Sequence, residues 1–106
     1  MKTVLIVNDN LFPKSEQVTD NLSFGAALEL LKQGKKVARN GWNGKGMFVY
    51  YVPENSYPTQ TEVAKKEFGA VAKYNPYLAI KTVNGTVSTW VPSINDCLAE
   101  DWEVVE

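Results

Sequence analysis

Apolar positions along this chain follow two different spacings. From Phe24 they return at Ala27, Leu28 and Leu31, the i, i+3, i+4, i+7 spacing of a helix that buries one face. Ser23 stands ahead of this run as an N-cap residue, and Gly34 stands beyond it as a C-cap residue. Lys32, Lys35 and Lys36 lie at the negative end of the helix dipole. Gly25 costs this helix about 1 kcal/mol relative to Ala. A close helix–sheet contact with no room for a side chain would explain it.

Beyond Gly34 the spacing becomes that of strands. Lys36–Gly41 and Met47–Val52 flank Asn43-Gly44-Lys45-Gly46, and Asn-Gly favours a tight hairpin because both turn positions want positive φ. A loop of two or four residues places Ala38, Asn40, Trp42, Met47, Val49 and Tyr51 on one face. Val37, Arg39, Gly41, Phe48, Tyr50 and Val52 then share the other, and a three-residue loop would scramble the set. Neither face is purely polar, so both are expected to be at least partly covered. A second hairpin is predicted from Tyr77–Val83 and Thr86–Val91 around Asn84-Gly85, with Lys81 opposite Ser88, Ile80 opposite Thr89 and Ala79 opposite Trp90. Leu78, Ile80, Thr82, Val87, Thr89 and Val91 then form a core face. Tyr77, Ala79, Lys81, Ser88 and Trp90 form the other.

The remaining elements are shorter. Thr3–Val7 reads as a strand, and residues 8–21 read as a polar loop or arm. Pro53–Pro58 reads as a loop. Thr59-x-x-Glu62 has the pattern of a capping box opening a short helix to Phe68, stopped at Gly69. Ser93-Ile94-Asn95-Asp96 is a second capping box, opening a short helix through Leu98, and Asp101–Val105 reads as a terminal strand. One main helix, two short ones and about six strands dominated by antiparallel hairpins define an α+β class. A single domain is expected over residues 1–106, with 1–21 as an N-terminal strand and arm and 22–106 as the core.

Composition narrows the chemistry. A net charge of −1 with scattered Lys and Arg argues against a duplex nucleic-acid partner, which calls for a basic face. It leaves room for a small anion, which needs only one or two cations. There is no histidine and one cysteine, Cys97, which argues against a metal site and against an internal disulfide. The apolar run Val4–Val7 is far too short for a signal-peptide core or a membrane span, so a cytoplasmic protein is expected. No nucleophile–base pair stands at a telling spacing, so no catalytic residues and no cofactor are assigned. Gly41-x-x-Gly44-x-Gly46 joins two strands and opens no helix, so it is not a phosphate-binding fingerprint.

Two groups remain as candidate binding chemistry. Tyr77, Lys81, Ser88 and Trp90 on one hairpin face offer rings to stack on a base, a cation for a phosphate and a hydroxyl for a sugar. The same rings could instead cover a second core or a subunit interface. Trp42, among Arg39, Asn40 and Asn43, has two readings as well: the wall of a pocket, or the edge of a core. Asp96 fits its capping role, and at a pocket it could also accept from a ribose hydroxyl or an adenine amine. Trp102 and Phe24 read as core, and Asp101 and Glu103 as solvated strand charges.

Three ordered blocks resemble a known family. They are Leu22-Ser23-Phe24-Gly25-x-Ala27-Leu28, then Val37-Ala38-Arg39-x-Gly41-Trp42-Asn43-Gly44-Lys45-Gly46-Met47-Phe48, then Trp90-x-Pro92-Ser93-x-x-Asp96-x-Leu98-Ala99-x-Asp101-Trp102. They are similar to the Thoeris anti-defence protein two family of phages and prophages, over about residues 22–106. Residues 1–21 and 53–75 match least. The resemblance implies a non-enzymatic sponge that binds the cyclic ADP-ribose-type signal of Thoeris TIR enzymes, glycocyclic ADP-ribose, and sequesters it uncleaved. It further implies a homotetramer with pockets between protomers, and in some members binding of cyclic dinucleotides at separate sites. Trp42, Asn43, Phe48, Trp90, Ser93 and Asp96 lie in the family-like blocks and are ligand candidates on that ground, joined by Tyr77 and Lys81 from the strand-facing argument. The alternative function is a protein-interaction module that inhibits a host protein directly.

Overall fold

In the computed structural model, which describes residues 18–42 and 46–106, the cap residue Ser23 opens helix α1 (Phe24–Lys32). Its side-chain oxygen accepts from the Ala26 N–H at 3.2 Å, and Gly34 follows the helix with a φ of +94°. Ala27, Leu30 and Leu31 are buried along one stripe. Strands β1 (Lys36–Arg39) and β2 (Phe48–Val52) come next. Strand β3 (Asn55–Pro58), helix α2 (Glu62–Phe68) and strand β4 (Val71–Tyr74) form a separate excursion. The chain then returns through β5 (Tyr77–Lys81), β6 (Val87–Trp90), α3 (Ile94–Leu98) and β7 (Trp102–Val105). The class is α+β, as expected.

The main sheet is antiparallel, in the order β6-β5-β2-β1-β7. Its pairing puts Val37, Val49, Tyr51, Leu78, Ile80, Trp90, Trp102 and Val104 on one face, and these side chains form the core with α1. The other face carries Lys36, Ala38, Phe48, Tyr50, Val52, Tyr77, Ala79, Lys81, Val87 and Thr89.

Both hairpins differ from the expected facing by one residue. Val37 pairs with Val49, so the first loop is odd and Val37 joins Val49 on the core face. In the second hairpin Leu78 pairs with Trp90, Ile80 with Ser88 and Lys81 with Val87. Here the loop has three residues. Thr82 N–H donates to the Thr86 carbonyl at 2.9 Å, Gly85 N–H donates to the Thr82 carbonyl at 3.0 Å, and Gly85 takes a φ of +84°. The facing Thr82 and Thr86 hydroxyls hydrogen-bond at 2.8 Å and secure that loop. A type I turn closed by a left-handed glycine is the usual three-residue solution. Because facing alternates strictly, the slip carries Trp90 to the core face and leaves Val87 and Val91 exposed.

The Pro53–Pro58 segment read as a loop instead supplies one strand of a two-stranded ribbon, β3–β4, with α2 between its strands. Asn55-Ser-Tyr-Pro58 is too polar and too proline-rich to read as a strand. The cap of α2 is Thr61, which accepts from Ala64 N–H at 3.2 Å. The Thr59 hydroxyl, taken from the sequence as that cap, instead donates to the Gly69 carbonyl at 2.7 Å and closes the ribbon. Residues 18–22 flank β7, through Val104 N–H to the Thr19 carbonyl and the paired Leu22 and Trp102. The expected strand Thr3–Val7 and the arm as far as residue 17 lie outside the described residues.

Candidate ligand-binding site

The face of the main sheet opposite α1, uncovered among the described residues, holds a concave site. Lys36 from β1, Phe48 and Tyr50 from β2, Lys81 from β5 and Val87 from β6 line a cavity of about 360 Å³, with Gly34 and Gly85 at its rim. The register brings these residues together, because Phe48 pairs with Lys81 and Lys81 pairs with Val87. Both ammonium groups lie near one ring: Lys36 Nζ is 4.8 Å and Lys81 Nζ 5.8 Å from the Phe48 centroid. Such cation–ring contacts are worth about 0.5–1 kcal/mol each at exposed sites. Lys36 Nζ also donates to the main-chain oxygen of Glu106 at 3.3 Å, and Lys81 Nζ to the Gly46 carbonyl at 3.1 Å.

Among the described residues neither lysine has a side-chain carboxylate partner. The pocket therefore presents two ammonium groups beside two aromatic rings. That chemistry holds a multiply charged anion attached to a flat group. Gly46 helps to place Lys81. Its φ of +79° is a glycine conformation, and a Cβ there would come within 3.3 Å of Lys81 Nζ.

A second constellation lies on the opposite side of the sheet. Trp102 is fully buried, and Phe24, Trp42 and Trp90 pack around it with centroids 5.4, 5.6 and 5.9 Å away. Trp42 and Trp90 also meet each other edge-on at 6.4 Å. The tilted and edge-on angles are those of core aromatic packing and leave no parallel slot for a base between these rings. The core-edge reading of Trp42 is the one the packing supports, although Trp42 and Trp90 stay partly exposed.

Asp96 ties α3 to this cluster. Its Oδ2 accepts from Ser93 N–H at 3.0 Å while Ser93 Oγ accepts from Asp96 N–H at 3.0 Å, completing the expected capping box. Asp96 Oδ1 accepts from Arg39 Nη1 at 3.1 Å, and the Asp96 backbone carbonyl accepts from Trp102 Nε1 at 3.0 Å. Arg39 Nε in turn donates to Asp101 Oδ1 at 2.9 Å. Asp101, read from the sequence as a solvated strand charge, is instead a partner of Arg39 in this network. Hydrogen bonds to Asp101 first and Asp96 second hold the guanidinium pKa above its ordinary value. Partial burial alone would raise the Asp96 carboxyl. The Ser93 N–H and the Arg39 guanidinium outweigh it and hold that carboxyl below the usual range.

The eight residues chosen from the sequence thus divide. Phe48 and Lys81 line the two-lysine pocket. Tyr77 lies on the same sheet face, at the far end of β5. Trp42 and Trp90 belong to the aromatic cluster, and Ser93 and Asp96 to the α3 cap. Asn43 lies outside the described residues. The expected platform of Tyr77, Lys81, Ser88 and Trp90 is not one surface, because the three-residue loop sends Ser88 and Trp90 to the other face. Sequence reasoning missed Lys36, Tyr50 and Val87 as neighbours of Lys81. The correct parity of the two hairpins was the signal that would have found them.

Comparison with known proteins agrees with the sequence blocks. Residues 22–105 match the family model described as the Thoeris anti-defense 2-like domain. The chain is also similar to the Thoeris anti-defense 2 protein of Bacillus phage SP01, with 40% identity over 84 residues, covering 79% of this chain and 94% of that protein.

Proposed function

This chain belongs to the Thoeris anti-defense 2-like family, with the anti-defence role that membership carries, and from that premise we propose that it acts by sequestration. It binds a cyclic ADP-ribose-type signal, glycocyclic ADP-ribose, in the cytoplasm of an infected bacterium and holds it uncleaved. The observation that supports this mode of action is the pair of lysines, Lys36 and Lys81, converging beside Phe48 and Tyr50. A diphosphate places two negative charges side by side, and the adenine joined to it offers a flat ring. The lysines suit the first and the rings the second. The proposal includes assembly as a homotetramer with the pocket shared between protomers, which the uncovered sheet face supports.

Titration calorimetry with glycocyclic ADP-ribose tests the reading. Saturable binding is expected at micromolar protein, and heating the complex should release the ligand at unchanged mass. A mass gain of one water would show hydrolysis and overturn sequestration. A hydrogen bond to a charged group contributes about 1.5–3 kcal/mol, so Lys36→Ala and Lys81→Ala should each weaken binding by about tenfold or more. Full affinity in both variants would remove this pocket as the site.

A further inference from the structure

In the lysine pocket two cations share one ring. Lys36 comes from β1 and Lys81 from β5, the strands on either side of β2. Phe48 stands between them on β2. It pairs directly with Lys81 and lies diagonally from Lys36, because Val37 pairs with Val49. Long side chains on one face of a sheet reach direct and diagonal neighbours alike. Each ammonium group is held from two sides. Lys36 Nζ lies 4.8 Å from the Phe48 centroid and 3.3 Å from the main-chain oxygen of Glu106. Lys81 Nζ lies 5.8 Å from the same centroid and 3.1 Å from the Gly46 carbonyl oxygen.

Two ammonium groups drawn toward one point repel each other, and the flexible stem of a lysine gives each of them room to move away. The negative face of an aromatic ring attracts both and opposes that separation. An aliphatic side chain fills similar space without this attraction. Phe48 is half-buried and is not among the side chains packed on the α1 core, so the helix does not depend on its ring. Tyr50 is placed differently. Its ring lies 5.9 Å from that of Phe48, tilted by 59°, and among the described residues no cation lies over it. Of the two pocket rings, one is engaged by the protein's own charges and the other is free to meet a flat group.

On the reading that this pocket is the ligand site, we propose that Phe48 is a positioning residue. It gathers Lys36 and Lys81 into a pair that prefers two adjacent phosphates to one, and it leaves Tyr50 as the ring on which the base stacks. A diphosphate engages both ammonium groups without first having to draw them together, an advantage that a single phosphate gains little from. The test titrates the full chain with inorganic pyrophosphate, inorganic phosphate and glycocyclic ADP-ribose, and records the ε-methylene proton shifts of Lys36 and Lys81. In the wild type these shifts should lie upfield of those of an exposed lysine, moved by the ring current, and pyrophosphate should bind about tenfold or more tighter than phosphate. Phe48→Leu should return the shifts to ordinary values and cut the preference to about threefold or less, while Phe48→Tyr, which keeps the ring, restores both. Tyr50→Leu should weaken glycocyclic ADP-ribose about tenfold more than it weakens pyrophosphate, as for the loss of one stacked base. Equal weakening of the two would overturn the stacking role of Tyr50. An unchanged pyrophosphate preference in folded Phe48→Leu would overturn the positioning role, and so would ordinary ε-methylene shifts in the wild type, a measurement that needs no variant. Full binding of glycocyclic ADP-ribose by both Lys36→Ala and Lys81→Ala is a separate result: it refutes the pocket as the site, and the positioning role falls with it.

Discussion

Asp96 does more than its sequence pattern implies. One carboxylate closes a capping box, accepts a guanidinium and lies on the residue whose carbonyl receives the Trp102 indole N–H. With its folded pKa held below the ordinary carboxylate value, the ionised form contributes stability above that value. The contribution fades as pH falls through the ordinary range toward the depressed one. Thermal melts should therefore show stability declining below about pH 4. Asp96→Asn should cost about 1 kcal/mol at pH 7 and clearly less at pH 3, as the wild-type carboxyl begins to take up its proton. An equal deficit at both pH values would show that the charge is not what matters. Gly25 gives the opposite kind of test. A Cβ there would meet only Ser23 Oγ at 3.9 Å, an ordinary contact, so the close helix–sheet approach expected from the sequence is absent. Gly25→Ala should stabilise the protein by about 0.5–1 kcal/mol, read as a higher urea midpoint at unchanged slope.

Hairpin loops decide which residues this protein shows to its surroundings. Helix α1, the Ser93 cap, the strands of the main sheet and the core role of Trp102 were legible in the sequence, because each has a local signal in spacing or capping. Parity was not. Asn84-Gly85 satisfies a two-residue turn and the end of a three-residue loop equally well. The choice rests on Thr82 meeting Thr86 and on burying the Trp90 indole, both of which need a partner strand in place. The two-lysine pocket was illegible for the same reason, since Lys36, Phe48 and Lys81 converge only once both registers are known. The β3–β4 ribbon was missed because its residues are exposed and carry no alternation of a buried face. Deleting Val83 tests the loop. It leaves Asn84-Gly85 as a two-residue turn and sets the Trp90 facing against its burial. Loss of several kcal/mol of stability, with red-shifted tryptophan emission in the folded state, is the expected result. Wild-type stability and emission would show that the loop length does not fix the register.

Taken whole, the protomer is one-sided. Helix α1 covers one face of the main sheet, while the other keeps Phe48, Tyr50, Val52, Tyr77 and Val87 at or near the surface. Helix α3 buries none of its residues, and its Ile94 and Leu98, one turn apart, are 70% and 74% exposed. Fully burying such a side chain is worth about 1.5–3 kcal/mol, so both together favour association appreciably. Ile94 and Leu98 lie on the α1 side of the sheet, opposite the lysine pocket, and offer an apolar surface for association separate from that face. If that surface meets further copies of the same chain, light scattering should give about four times the 11.8 kDa protomer mass. Ile94→Asp combined with Leu98→Asp should lower that mass without loss of helical circular dichroism, since neither side chain supports the protomer core. Ligand titration of the dissociated variant then separates two arrangements. A pocket shared between protomers loses its affinity along with the assembly, whereas a pocket complete in one protomer keeps the affinity that Lys36 and Lys81 confer. A wild-type mass of one protomer at tens of micromolar would overturn the assembly and leave the sheet face for a different partner.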